Sequence, residues 1–250
     1  MEEKIKGSLE LLDKVYLKFK ELKSQNLPNE QIFQKLIEFN PSMATVINLS
    51  KKLIYSNNPE EEFQNYKKNI RDALRKIYSK IRKKIKFPSK ILTYSRSSSV
   101  IFLFKEFKKE NLDFEVFITE GRPNLEGIKT AEELSKEGIK VTLGVDAIIY
   151  DFVKNCDYIL LGADAITPNF YINKIGTYPL ILTARELKKE YYIIATKDKF
   201  LGSEEEKFLR IKKEQPDEVY KGHKRKNIQI LNVYFEKIPV SLIANRIISE

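Results

Sequence analysis

The hydrophobic positions in the first part of the chain recur every three or four residues. One series runs through residues 5–22, and shorter ones run through residues 32–37 and 43–54. Residues with this spacing lie on one face of an α-helix. The pattern therefore predicts amphipathic helices that bury one face against each other.

A further predicted helix has the clearest start signal in the sequence. Asn58 can cap its N-terminus, Pro59 suits the first helical position, and Glu61 can complete a capping box. An apolar stripe follows for several turns. It consists of Phe63, Tyr66, Ile70, Leu74, Ile77 and Ile81.

The hydrophobic pattern changes from residue 87 onward, where short apolar runs alternate with helical segments. Strands are predicted at residues 91–94, 114–118, 141–143, 158–161, 191–195 and 228–235. Apolar strands that alternate with helices are typical of a parallel sheet covered on both faces. The sequence thus predicts an α/β protein with a helical N-terminal domain, residues 1–86, and an α/β domain, residues 87–250.

The composition narrows the classes of function. The chain has 250 residues and a net charge of +10, which suits an anionic partner such as nucleic acid, an acidic protein or a phosphorylated small molecule. Its single cysteine, Cys156, excludes an internal disulfide framework. With His223 as the only histidine, a zinc site would need mostly carboxylate ligands, which zinc rarely accepts in structural sites. We expect no metal and no other cofactor.

Two features of the sequence concern location. No apolar run approaches the ~20 residues that span a bilayer. The first residues alternate in charge, unlike a signal peptide. We therefore expect a cytoplasmic protein without a membrane partner.

A basic run at residues 75–86 has two interpretations. Seven of its twelve residues are Lys or Arg, so it can bind RNA or an acidic surface. The same run suits the solvated face of an amphipathic helix, and no RNA-binding motif accompanies it. The solvated face is the favoured interpretation. Cys156 is expected to be a small buried residue, and His223, in a basic loop, is assigned no role.

Candidate ligand-binding residues follow the predicted strands, because ligands bind beyond the carboxyl ends of the strands in an open parallel sheet. Ser97, Ser98 and Ser99 lie at a predicted helix start, where backbone N–H groups attract phosphate. The alternative is that a serine only caps the helix. Arg122, after the second strand, can bind an anion or be solvated.

Asp164 directly follows the apolar strand at residues 158–161, and Asn173 and Lys174 return polar groups nearby. An Asp beside a Lys in a partly enclosed pocket is a candidate acid–base or hydroxyl-binding pair. The alternative is an Asp that organises a loop through Asx hydrogen bonds.

These motifs resemble one known family. GADAITPNFYINKIGTY, residues 162–178, resembles the signature shared by the regulatory alpha, beta and delta subunits of initiation factor 2B and two enzymes. The enzymes are methylthioribose-1-phosphate isomerase and ribose-1,5-bisphosphate isomerase. Four further segments match the family in order along the chain. They are ILTYSRSSS at 91–99, TEGRPNLEG at 119–127, residues 141–150, and FEKIP at 235–239.

The resemblance implies a Rossmann-like C-terminal domain that forms homodimers or higher homo-oligomers, with a pocket for a phosphorylated sugar or nucleotide. Its positional matches assign roles to individual residues. Ser97, Ser98 and Ser99 match the phosphate-side turn, Asn173 and Lys174 the substrate clamp, Lys199 a further phosphate contact, and Asp164 the catalytic carboxylate of the isomerases.

The departures from the family pattern bear on activity. Ser95 stands where the isomerases have a cysteine, and a hydroxyl is a far weaker acid that needs a nearby base. The sequence shows no such base. Two phosphate-binding arginines of the family also lack counterparts, one of them at residues 40–42. The resemblance therefore favours a non-catalytic regulatory protein that binds initiation factor 2 through its alpha subunit. The alternative is a sugar-phosphate aldose–ketose isomerase with Asp164 as acid–base and Ser95 as an altered partner.

Overall fold

The computed structural model describes residues 8–222 and 227–250, so Ile5 and His223 lie outside the described residues. Its N-terminal part is a layer of helices, as the sequence predicts. They are α1 (Ser8–Ser24), α2 (Asn29–Phe39), α3 (Ala44–Tyr55) and α4 (Pro59–Arg82). Their apolar faces share one core, to which Ala165 and Ile172 of the α/β part also contribute. No helix in the described ranges is long and apolar enough to cross a membrane.

The predicted start of α4 is confirmed. Asn58 Oδ1 accepts a hydrogen bond from the Glu61 backbone N–H at 3.4 Å, and Asn58 Nδ2 donates to Glu61 Oε2 at 3.0 Å. Pro59 occupies the first helical position. The apolar stripe of α4 reaches two cores, because Phe63 packs among the helices and Ile81 packs against the sheet. This long helix therefore joins the helical layer to the α/β part.

Six parallel strands form the main sheet in the order β3-β2-β1-β4-β7-β9. If only the parallel strands are numbered, β7 and β9 become the fifth and sixth. The order is then 3-2-1-4-5-6, that of a doubly wound Rossmann sheet. The predicted α/β class with a mainly parallel sheet is thus confirmed. The strands are β1 (Ser89–Thr93), β2 (Phe114–Thr119), β3 (Lys140–Gly144), β4 (Tyr158–Leu161), β7 (Glu190–Ile194) and β9 (Ile247–Ile248).

Helices cover both faces of this sheet, as the apolar strands predict. Neighbouring strand residues point to opposite faces, so Ile91 packs in one core and Leu92 in the other. α5 (Ser98–Lys109), α6 (Glu126–Lys136) and the end of α4 cover the first face. α7 (Ile149–Asn155) and α8 (Thr177–Glu186) cover the second face.

A smaller antiparallel sheet lies beside the main one, and the sequence pattern does not predict it. It contains β5 (Ala165–Ile166), β6 (Phe170–Lys174) and β8 (Phe235–Pro239), with β6 in the middle. The strand predicted at residues 228–235 is wrong, because the strand begins only at Phe235 and pairs antiparallel with β6. Ile228 and Leu231 are exposed, so the apolar residues of that segment do not mark a buried strand.

The N-terminal end of α3 packs directly on the loops that follow β4 and β7. The Ala44 N–H donates to the Asp164 carbonyl oxygen at 2.9 Å, and Asn48 Nδ2 donates to the Asp198 carbonyl oxygen at 2.9 Å. The Thr45 hydroxyl donates to the Asp198 carboxylate. The helical layer is therefore attached at the carboxyl edge of the sheet. A domain boundary at Lys86, between the end of α4 and the start of β1, stays a prediction.

Candidate functional site

The candidate site lies beyond the carboxyl ends of β1 and β4, the neighbouring strands at which the strand order reverses. Ligands of doubly wound sheets bind in the crevice at this position. β1 leads into Ser95 and the start of α5, and β4 leads into Asp164. A Cβ atom on Gly162 would lie 2.6 Å from the Ser97 Cβ atom, so only glycine lets the two strand exits approach this closely. We call this region the β1–β4 crevice.

Ser95 has a hydrogen-bonding partner that the sequence does not reveal. Its backbone adopts φ = +63°, in the left-handed region, and its side chain is buried. Its hydroxyl donates to Glu126 Oε2 at 2.6 Å. Glu126 is the first residue of α6. The sequence does not indicate this base, because only the fold brings the carboxylate at the α6 N-terminus to the hydroxyl.

Lys174, the last residue of β6, is only 2% exposed, and its ammonium has several partners. Its ammonium donates to the Asn124 side-chain oxygen and lies 3.4 Å from Glu126 Oε2. Nζ also lies 5.0 Å from the centroid of the Tyr234 ring. Burial lowers the pKa of Lys174, and the charge of Glu126 opposes that change. The negative charge of Glu126 thus largely compensates the positive charge of Lys174.

Asp164 is held by its backbone on both sides. Its N–H donates to the Ile172 carbonyl at 3.0 Å, and its own carbonyl receives the Ala44 N–H. Burial raises the pKa of Asp164 to about 7, a rise that Glu126 reinforces while Lys199 and Lys174 oppose it. Near neutral pH the carboxyl can therefore either donate or accept a proton.

Lys199 follows β7 in a short 3-10 turn and is 3% exposed. Within the ranges that the structure describes, its ammonium makes no hydrogen bond and has no carboxylate within 4.0 Å. It does interact electrostatically with Asp164 and Asp198, and burial raises the pKa of both carboxyls. Lys199 is thus a buried cation without a direct partner among these residues.

The serine turn provides a helix start at the same edge. The Ser97 hydroxyl accepts a hydrogen bond from the Val100 N–H at 3.4 Å, so Ser97 caps α5, and a role of this residue in phosphate binding stays a prediction. Ser98 and Ser99 form the first turn of α5. A helix start at this place favours an anion through its N–H groups and its dipole.

The structure gives other predicted residues local structural roles. Asn173 is buried and donates to Thr177 Oγ1 at 3.0 Å, which secures the start of α8. Arg122 is exposed and donates to the Glu218 carbonyl at 3.3 Å. The Arg122 N–H donates to Asp146, which organises that loop. Neither side chain is among the charged groups around Asp164.

Cys156 contributes no thiol to the crevice. It precedes β4, at the opposite edge of the sheet, and donates to the Val153 carbonyl at 3.3 Å. Burial raises the pKa of its thiol to about 11. Among the described residues, no group of three His, Cys, Asp or Glu side chains is arranged to hold a metal.

Residues of the basic run are paired within the protein. Arg75 lies 3.2 Å from Asp72, Arg82 lies 3.0 Å from Glu110, and Lys80 donates to the Ser249 carbonyl at 2.6 Å. These contacts suit the solvated helix face. RNA binding by this run stays a prediction.

The fold and the crevice define a Rossmann-type protein that holds charged groups at its strand-order reversal. The chain belongs to the Initiation factor 2 subunit family, which matches residues 9–250. Among its relatives, a Pyrococcus furiosus protein named eIF-2B subunit 2-like is 30% identical over 220 residues, covering 85% of this chain and 76% of that protein. A ribose 1,5-bisphosphate isomerase from Methanocaldococcus jannaschii is 36% identical over 167 residues, covering 64% of this chain but 53% of the isomerase.

Solved structures agree with this family. The translation initiation factor eIF-2B of Pyrococcus horikoshii OT3 matches with a TM-score of 0.82 and 27% identity, over 99% of this chain and 91% of that one. The 5-methylthioribose 1-phosphate isomerase of the same organism matches with a TM-score of 0.65 and 21% identity, over 96% and 76% of the two chains. The second match shows a shared fold alone. Relatives named as initiation factors and relatives named as isomerases thus share this family.

Proposed function

We propose that this protein is a non-catalytic regulatory member of its family that acts in translation initiation in the cytoplasm. It binds initiation factor 2 through the alpha subunit and holds a phosphorylated sugar or nucleotide in the β1–β4 crevice. Family membership and the eIF-2B-like relative support the translation role. One observation carries the choice against catalysis. The crevice has a serine hydroxyl at the β1 turn, and the chain's only cysteine lies at the opposite sheet edge.

The charges of the crevice support an anionic ligand. Lys199 is buried without a direct partner among the described residues, and a buried charge of this kind is costly unless a counter-ion compensates it. A phosphate group supplies such a counter-ion. The first turn of α5, at the same edge of the sheet, also offers backbone N–H groups to an anion.

Thermal unfolding of the purified protein tests ligand binding. A phosphorylated ligand that binds only the folded state, at 100 times its Kd, stabilises by about 2.7 kcal/mol. For a chain of this size that stabilisation raises Tm by about 5–11 °C. We expect this rise with ribose 5-phosphate or adenosine monophosphate, and not with ribose, the matched control without phosphate. A column carrying the alpha subunit of initiation factor 2 should retain the protein. A protein that is not retained and leaves nucleotide exchange unchanged contradicts the regulatory role.

A second candidate function is sugar-phosphate isomerisation, favoured by one observation. The Ser95 hydroxyl donates to Glu126, and Asp164 has a pKa of about 7, so two carboxyls in different environments share the crevice. Such pairs are typical of acid–base sites. Conversion of ribose 1,5-bisphosphate that disappears in Asp164→Asn would establish it, and the absence of product would exclude it for this substrate.

We also propose that the protein forms homodimers through its C-terminal part. Tyr150 on α7 and Leu182 on α8 are exposed and line one depression, and Tyr178 lies one turn before Leu182. Exposed apolar side chains that cluster in this way often mark an interface. Sedimentation should give twice the chain mass, and Leu182→Asp should shift the protein toward monomers. Leu17→Asp, at an exposed leucine of α1, is the matched control.

A further inference from the structure

The two buried lysines of the β1–β4 crevice have different electrostatic surroundings. Lys174 faces the Asn124 oxygen, the Glu126 carboxylate and the Tyr234 ring. The Lys199 ammonium has no hydrogen bond or ion pair with any residue that the structure describes, although both lysines are almost completely buried. An anionic ligand group can therefore pair with the ammonium of Lys199, whereas the charge of Lys174 is already compensated by Glu126.

Glu126 creates this difference. Its Oε2 atom accepts the Ser95 hydroxyl at 2.6 Å and lies 3.4 Å from Lys174 Nζ. The carboxylate thus occupies the place between a hydroxyl donor and an ammonium that a phosphate oxygen would otherwise take. A phosphate brought to Lys174 meets a like charge at contact distance. A ligand hydroxyl does not, because it can donate to Glu126 and accept from Lys174 at once.

The surroundings of Lys199 are different. The carboxyls that interact with it are Asp164 and Asp198, and burial disfavours the ionised form of both. Asp198 is further occupied by the Thr45 and Thr196 hydroxyls. The end of the crevice at Lys199 therefore suits a doubly charged group.

We propose that Glu126 is a specificity-determining residue that limits the crevice to ligands with one phosphate group. The phosphate binds at Lys199, and a sugar hydroxyl lies between Glu126 and Lys174. The ligand class is therefore a sugar phosphate monoester and not a bisphosphate. This inference rests on the proposed function, since it refines the ligand of the same crevice.

Calorimetric titration of the full chain with ribose 5-phosphate and ribose 1,5-bisphosphate tests the inference. In the unchanged protein the monophosphate should bind about tenfold or more tightly than the bisphosphate, the size of effect expected from one unfavourable charge contact. Glu126→Gln keeps the side-chain shape and an acceptor for Ser95 but removes the charge, so the ratio of bisphosphate affinity to monophosphate affinity should rise about tenfold. Glu132→Gln, an exposed position of α6, is the matched control.

The possible outcomes separate this inference from the proposed function. Bisphosphate binding by the unchanged protein that equals or exceeds monophosphate binding overturns the inference, and this comparison needs no variant to fold. An unchanged ligand preference in a folded Glu126→Gln variant also overturns it. If neither sugar phosphate binds but initiation factor 2 is still retained, the inference fails and the translation role stands. If neither ligand nor factor binds, both fail.

Discussion

Replacing Gly127 with alanine is expected to destabilise the folded protein by about 3 kcal/mol. Gly127 is the second residue of α6, and a Cβ atom there would lie 2.9 Å from the carbonyl carbons of Thr119 and Glu120, and closer still to the Thr119 oxygen. These are backbone atoms at the end of β2, so no side-chain rotation relieves the overlap. Alanine normally stabilises a helix relative to glycine by roughly 0.5–1 kcal/mol. The expected sign is therefore opposite to helix propensity.

Denaturant unfolding of Gly127→Ala measures this loss. Gly202→Ala is the matched control, because the nearest heavy atom to a Cβ there is Glu205 Oε2 at 3.7 Å. We expect the control to change the free energy of unfolding by less than about 0.5 kcal/mol. A Gly127→Ala protein as stable as the parent would mean that α6 does not approach β2 this closely. It would then also remove the basis for placing Glu126 beside Ser95.

The second large effect concerns Asp164 and pH. Burial raises its pKa from the usual 3.8 to about 7. Between these values the unfolded chain has already lost the proton that the folded protein keeps, so the folded state binds more protons and stability falls as pH rises. Above about pH 7 the Asp164 carboxyl is ionised in both the folded and the unfolded state, so its contribution to the free energy of unfolding no longer changes with pH. Asp164→Asn cannot ionise and should lack the decrease.

We therefore expect Asp164→Asn to gain stability relative to the parent by about 2 kcal/mol between pH 4 and pH 8, less than the full pKa shift implies because solvent reaches the partly exposed side chain. Urea unfolding of both proteins at several pH values within that range measures the difference. Asp113→Asn, at an exposed position, is the matched control. A difference that does not change with pH would show that water or a neighbouring group already stabilises the ionised carboxylate.

The helical layer and the main sheet could be predicted because their signals are local. The stripe and cap of α4 depend on residues close in sequence, and the alternation of apolar strands and helices identifies a sheet covered on both faces. The antiparallel β5-β6-β8 sheet could not be predicted in the same way. Its pairing joins Tyr171 to Ile238 across a long stretch of chain, and nothing near either residue specifies the partner.

The candidate site shows the same limit. Ser95 and Asp164 could be selected because they follow predicted strands, and Lys174 because of its motif. Glu126 lies 31 residues after Ser95 and looks like any acidic residue in the first turn of a helix. Its position depends on the close approach that Gly127 permits. The ligand-binding roles of the predicted residues stay predictions.

The attachment of α3 to the loops after β4 and β7 has a consequence for signalling between surfaces. The Ala44 N–H donates a hydrogen bond to the main-chain carbonyl of Asp164. The Asn48 side chain donates one to the main-chain carbonyl of Asp198, next to Lys199. A molecule in the crevice that moves either loop must also move the start of this helix. A protein that binds the helical layer and shifts α3 then alters the affinity of the crevice for the small molecule. By linkage, each partner changes the affinity for the other by the same factor.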